Sequence, residues 1–456
     1  MDLKQCISSM VLGAMFFAGV NTASACGSYG ASFTEGPILL TTALDKPIVA
    51  KGKGDRKVVV KIEVEGSKMI RPDWVPLNLA IVLDRSGSMS GGKLEQAKQA
   101  AMMLVDQLDR DDVLSLVVYE TEVQVVLPAG PLGDRRKEIK RMIQRIGTGG
   151  STALYGGVQA GGRQLDEFLS KQRINRVMLL SDGIANVGPS SNREISQLGS
   201  RLSKSGVSVT TIGLGDDYNE TLMTALAEAS DANYYYVADV EELPGVFKDE
   251  LGELQSIVAR EVVIEIRCPE GVRPLRFLGR PGELKSRTES ITFSTLSSEQ
   301  TRELYLECVL EESVLGKLNE IADVEVRYAD PDSSEGIVLG VAPVVVGYTE
   351  DEKLAEAAKD LAVSAEAAIY INAEETERSL AYADKGDIVA CRENLESQKA
   401  ALTDALAYAP AAQKEMLEEE IAAVEEAQRD LENDALSKDQ RKKLSAGSWM
   451  TRNSKR

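Results

Sequence analysis

The chain has 456 residues, with 52 basic and 72 acidic side chains, a net charge of −20, five cysteines and no histidine. Without histidine there is no Ser-His-Asp or Cys-His catalytic arrangement, no His-ligated zinc and no H-E-x-x-H helix, so any chemistry must rest on carboxylates, hydroxyls, lysines or a hard metal ion. A charge of −20 argues against nucleic acid, whose phosphates require a basic face, and a length of this order suggests about three domains.

Residues 1–25 read as an export signal. Lys4 supplies the positive segment, Met10 to Val20 the apolar one, and Ala23-Ser24-Ala25 the small-residue cleavage site. The apolar run is shorter than the roughly 17–25 residues that span a bilayer. Cleavage after Ala25 leaves Cys26 first, so a lipid anchor at Cys26 stays open, although Ala23 stands where such signals usually carry Leu. The next most apolar stretch, Ile337 to Tyr348, is short and contains Pro343. The mature chain is therefore expected to lack a transmembrane segment and to be periplasmic or extracellular, with attachment to the envelope through Cys26 as an option.

Residues 26–74 read as β structure, with an alternating strand at Val58 to Val64. From 75 to 252 strands and helices alternate. Leu77 to Leu83 is a near-continuous apolar run suited to a strand buried on both faces. Apolar residues at 94, 97, 101, 104, 105 and 108 mark a helix; Val113 to Tyr119, Arg176 to Leu180, Val207 to Ile212 and Asn233 to Val237 mark further strands. This alternation predicts an α/β unit, a Rossmann-like, doubly wound and mostly parallel sheet whose ligands bind at the carboxyl ends of the strands. Residues 253–349 return to alternating strands and, with 26–74, predict one flanking antiparallel β-sandwich. Cys268 and Cys308 both fall on its strands, as a disulfide or as two buried thiols.

Residues 350–440 predict a C-terminal α-helical domain, with helices at 353–373, 375–384, 389–406 and 411–431. The stretch 351–440 holds 23 acidic and 9 basic residues, so −14 of the net −20 resides there. The tail 441–456 is basic, through Arg441, Lys442, Lys443, Arg452, Lys455 and Arg456, and is expected to be frayed.

Three loops carry the chemistry. Asp84-Arg85-Ser86-Gly87-Ser88 follows the first buried strand, Gly149-Gly150-Ser151-Thr152 precedes a helix, and Ser181-Asp182-Gly183 follows the central strand. Singly, each has a plain structural use: Ser88 or Ser90 can cap the next helix, and Ser-Asp-Gly is an ordinary turn. Together they place the hydroxyls of Ser86, Ser88 and Thr152 and the carboxylates of Asp84 and Asp182 at one sheet edge. That all-oxygen set suits Mg²⁺ first, with Mn²⁺ or Ca²⁺ as alternatives. Hydroxyl ligands leave the ion less neutralised than carboxylates do, so it stays attractive to an Asp or Glu of another protein. Gly87 to Lys93 also matches the phosphate-loop frame G-x-x-x-x-G-K, but Leu94 stands where Ser or Thr should bind Mg²⁺.

Asp84-x-Ser86-x-Ser88, Thr152 and Asp182 resemble the metal-ion-dependent adhesion site of von Willebrand factor A domains, over about residues 75–250. The resemblance implies that Ser86, Ser88 and Thr152 ligate the ion directly, that Asp84 and Asp182 act largely through water or from behind the direct ligands, and that the ion captures a partner carboxylate. The layout is also similar to exported bacterial von Willebrand A proteins described as calcium-activated chloride channel-like, although no pore-forming segment gives that description force here. The function expected is a non-enzymatic, metal-dependent protein-binding module. The alternative is an envelope scaffold that binds through its acidic C-terminal helices, its metal site being structural.

Overall fold

The computed structural model describes residues 32–51, 56–68, 75–280, 282–311, 318–331, 333, 335–433 and 435–454. The expected export signal and Cys26 lie outside them.

The described chain opens with β1 (Ser32–Glu35), β2 (Ile38–Leu44), β3 (Ile48–Ala50) and β4 (Lys57–Gly66). In β4, Val58, Val60, Ile62 and Val64 are buried and the residues between them are not, the period of a sheet with one face on a core. The chain then builds β5 (Leu77–Asp84), α1 (Lys93–Gln107), β6 (Val113–Tyr119), β7 (Val123–Pro131), α2 (Arg136–Gln144), α3 (Leu154–Leu165), β8 (Ile174–Ser181), α4 (Asn192–Lys204), β9 (Ser208–Leu214), α5 (Glu220–Ala229), β10 (Tyr234–Val237) and α6 (Leu243–Gln255). These strands form one sheet in the order β10-β9-β8-β5-β6-β7. Every pairing is parallel except that of β7 with β6. β7 was not anticipated, although Val123-Gln124-Val125-Val126-Leu127 is mostly apolar and β-branched; it is an edge strand, mostly exposed.

β5 is buried along its whole length, as a strand covered on both faces must be. Leu94, Leu104, Ile139, Ile143 and Phe247 cover one face from α1, α2 and α6. Leu154, Val158, Ile195, Leu198 and Leu222 cover the other from α3, α4 and α5. β5 pairs with β6 on one side and β8 on the other, so the chain winds outward from it in both directions. This reversal is where open α/β sheets leave a crevice at their carboxyl edge.

α6 runs into β11 (Ile257–Arg267), followed by β12 (Val272–Phe277), β13 (Thr288–Ser297), β14 (Thr301–Leu310), β15 (Leu318–Ala329) and β16 (Gly336–Thr349). Two five-stranded sheets result, β1-β2-β4-β14-β12 and β13-β11-β15-β16-β3. They share one core, with Leu40, Val60 and Ile62 from the first meeting Ile264, Val324 and Val344 from the second. The sandwich is thus assembled from both flanks of the α/β unit. Cys268 and Cys308 are buried free thiols in hydrogen-bond contact within it; of the two expectations, the thiol pair is the one seen.

Five helices follow among the described residues: α7 (Glu352–Ala357), α8 (Leu361–Asp384), α9 (Ile388–Tyr408), α10 (Ala411–Asp430) and α11 (Lys438–Arg452). The structure corrects two expectations. The break placed near 374 falls instead before Leu361, where the Asp360 side chain accepts from the Ala362 and Val363 amides as a cap. Up to Ser454, where the described residues end, the tail is not frayed: Arg441, Lys442, Lys443 and Arg452 lie on α11. Trp449 is 2% exposed in the core of the α/β unit, edge-on to Tyr234 with centroids 6.0 Å apart. Lys442 Nζ donates to the Tyr218 carbonyl and to Glu220 Oε2, both at 2.8 Å. Arg441 reaches Glu220 and Asp384, and Arg452 reaches Glu228 and Glu377. The basic residues are ordered because acidic partners receive them. No helix among the described residues is long and apolar enough to cross a membrane.

Candidate functional site

β5 ends at Asp84 and its parallel neighbour β8 ends at Ser181, so the loops that follow leave the sheet edge side by side. The third loop, ahead of α3, is tied to the first. The Gly87 amide donates to the Gly150 carbonyl at 3.0 Å and the Gly149 amide to the Arg85 carbonyl at 2.6 Å. Met89 is wholly buried under the turn that carries Ser86 and Ser88.

The side chains form a connected set. Asp84 is fully buried; its Oδ1 accepts from the Ser86 amide at 2.8 Å and its Oδ2 from the Ser181 hydroxyl at 2.6 Å. Burial pushes the Asp84 carboxyl above the usual range, and the Ser181 and Ser86 donors act against that rise. Ser86 Oγ and Ser88 Oγ lie 3.0 Å apart, and the Ser88 hydroxyl donates to Asp182 Oδ1 at 2.6 Å. Asp182, also fully buried, accepts from Lys93 Nζ at 2.7 Å on Oδ2. Thr152 is held through its backbone: its amide donates to Asn186 Oδ1 at 2.8 Å, and its carbonyl accepts from the Asn186 and Val187 amides at 3.1 and 3.3 Å. Its hydroxyl is turned toward Gly183, where an added Cβ would come within 2.9 Å of Thr152 Oγ1 and 3.4 Å of Ser88 Oγ. All five residues singled out in the sequence therefore converge.

The set fits a hard divalent ion in its chemistry. Every donor is oxygen, three of the five are neutral hydroxyls, and the missing side chain of Gly183 leaves the hydroxyls clear of a methyl group that would crowd them. Among the described residues no three Asp, Glu or Cys side chains form a metal cage; this set relies on hydroxyls instead. Lys93, which completes the phosphate-loop frame in the sequence, turns back onto Asp182.

Supporting residues went unseen in the sequence. Glu120 directly follows β6, one position beyond Tyr119, the partner of Asp84 in the sheet. Its Oε2 accepts from the Thr121 and Gly150 amides at 2.6 and 2.9 Å, and these donors hold its carboxyl below the usual range. Its side chain lies where Gly149 would carry a Cβ, 2.9 Å from Cγ, so the glycines of that loop make room for its organiser. An acid directly after a parallel strand was the available signal for Glu120. Asn186 gave none, because Asn is common in any loop, and Ser181, at the end of β8, stood in the Ser-Asp-Gly segment with no role of its own.

Known proteins agree with this architecture. Residues 78–249 match the family model described as von Willebrand factor type A domain. An uncharacterized protein of Synechocystis sp. is 27% identical over 275 residues, 58% of this chain and 64% of that protein. Protein YfbK of Escherichia coli is 28% identical over 228 residues, 49% of this chain and 40% of that protein. The chain thus spans less than two thirds of the length of either relative. A solved structure described as a von Willebrand factor type A protein from Catenulispora acidiphila superposes with a TM-score of 0.68 over 94% of this chain and 99% of that one. At 17% identity the likeness concerns the fold, and it extends over the sandwich and the helices as well as the α/β unit. Sheet order, flanking helices and family match lead to one conclusion: residues 78–249 of this chain are a von Willebrand factor type A domain, a fold commonly used as a protein-interaction module.

Proposed function

We propose that this is an exported, non-enzymatic protein-binding module that captures a partner Asp or Glu through a divalent cation, Mg²⁺ in the first place. Ser86, Ser88 and Thr152 hold the ion directly, and Asp84 and Asp182 balance its charge from beneath, largely through water. The observation that carries the reading is the convergence of three hydroxyls on two buried, hydrogen-bonded carboxylates at the reversal point of the sheet. Mainly neutral donors leave much of the ion's charge uncompensated, and an incoming carboxylate supplies the missing anion. No nucleic acid is involved, and the partner is a protein of the envelope or the cell exterior.

The test is a pull-down from envelope extracts with Mg²⁺ or with EDTA, read by mass spectrometry and repeated with Asp84→Ala. Partners lost under both treatments support the proposal. Capture indifferent to both overturns it. If capture instead fails when Glu415, Glu418 and Glu419 on exposed positions of α10 are changed to Gln, binding belongs to the acidic helices.

A further inference from the structure

Asp182 already has a cation. Lys93 Nζ lies 2.7 Å from its Oδ2, while Oδ1 faces the hydroxyls through Ser88. The pair is unequal in exposure: the Asp182 side chain is fully buried, the Lys93 side chain 28% exposed. Lys93 is the first residue of α1, the end of a helix where the backbone dipole disfavours a positive charge. Its ammonium is therefore retained there by Asp182, not by the helix. On its far side lies the left-handed turn at Gly215, where even a Cβ would stand 3.5 Å from Nζ.

We infer that Lys93 is the residue that sets the balance of the site, weakening its hold on the divalent ion and strengthening its hold on the partner carboxylate. The inference rests on the metal-dependent reading above. Counted with the ion, Asp84 and Asp182 sum to zero, so without Lys93 the pull on a further anion comes from the neutrality of the ion's direct ligands alone. The ammonium adds one positive charge to that count, which an Asp or Glu neutralises. The same ammonium repels the ion and occupies one oxygen of its anionic support, so the metal binds less tightly than the oxygen set alone would allow. Because Lys93 is partly exposed, an arriving carboxylate can meet both cations. The ion then rests in the site most firmly when the partner is present, and the free module releases it readily.

Full-length protein and its Lys93→Gln and Lys93→Arg variants are titrated with Mn²⁺ by calorimetry. Acetate is then titrated onto each Mn²⁺-loaded protein and followed by water-proton relaxation. Lys93→Gln is expected to bind Mn²⁺ at least about tenfold tighter and acetate several-fold weaker, while Lys93→Arg, which keeps the charge, stays near wild type in both. Thermal midpoints confirm that the variants are folded. Mn²⁺ affinity unchanged or weakened in Lys93→Gln, with binding still abolished by Asp84→Ala, overturns the role of Lys93 and leaves the metal site standing. Absence of Mn²⁺ binding from wild type and Lys93→Gln alike overturns both.

Discussion

Two regions of this molecule are acidic, and they use acidity in opposite ways. The helical stretch 351–440 holds 23 of the 72 acidic side chains, and many of them, such as Glu415, Glu418 and Glu419, are exposed on α10. At the edge of the von Willebrand A sheet, Asp84 and Asp182 are both wholly buried and take donors from hydroxyls, an amide and one ammonium. Exposed carboxylates in quantity are screened by solvent and contribute little individually. On the proposed reading, the two desolvated carboxylates, held by short hydrogen bonds, balance a cation whose direct ligands are neutral. Placement, not number, separates a functional acid from a solvated one.

The comparison can be broken most severely where the two regions meet. Trp449→Ala removes the side chain by which α11 enters the α/β core, and calorimetry should show a loss of about 3–5 kcal/mol, typical of an emptied aromatic site. A much smaller loss would mean that α11 is a loose appendage. At the sheet edge, Asp84→Ala leaves the Ser86 amide and the Ser181 hydroxyl without their acceptor. It is expected to cost about 1–3 kcal/mol in urea unfolding, and to abolish Mn²⁺ binding. Gly183→Ala sharpens the point, since it adds only a methyl group against Thr152 Oγ1. Mn²⁺ affinity is expected to fall about tenfold, worth about 1.4 kcal/mol, with the fold intact by circular dichroism; unaltered affinity would show that Thr152 does not face the ion. On the helical side, Glu418→Gln should change stability by no more than about 0.5 kcal/mol.

The smallest effect expected depends on pH and concerns the seam itself. At Glu220, burial pulls the carboxyl pKa up, but the hydrogen bond and charge of Lys442, the helix-start amide and Arg441 outweigh it, and the net shift is downward. A carboxylate with a lowered folded pKa contributes stability above its unfolded value of about 4.3, and loses it as pH falls through the folded value. Tryptophan fluorescence should therefore report loosening around Trp449 only on acidification below that range, and Glu220→Gln should remove the dependence.

Much of the α/β unit was legible because its signals are local. β5 announces itself as an unbroken apolar run, and the residues after it as a spaced set of Asp and Ser. The sandwich strands show their period of two, and the break at Lys385-Gly386-Asp387 shows as a glycine of positive φ before an Asp cap. β7 was missed although Val123 to Leu127 is rich in valine; its Pro128 and Pro131, tolerated on an edge strand, break the pattern. Nor were the tasks of Ser181, Asn186 and Glu120 legible, which appear only when three loops are laid together. α11 misled for a related reason. A basic, polar segment reads as frayed until Glu220, 222 residues earlier in the chain, is brought against Lys442.

The sequence by itself determined which atoms the site could use. The absence of histidine agrees with a site made only of oxygen, and the pattern Asp84, Ser86, Ser88, Thr152 and Asp182 names the candidate donors. Tertiary structure decided what those atoms can do. Parallel pairing of β5 with β8 brings Asp84 beside Ser181, a glycine keeps Thr152 open, and the first turn of α1 sets Lys93 on Asp182. Hydrogen bonding and charge balance depend on distances of a few ångströms between residues some ninety positions apart, and only the folded sheet establishes those distances.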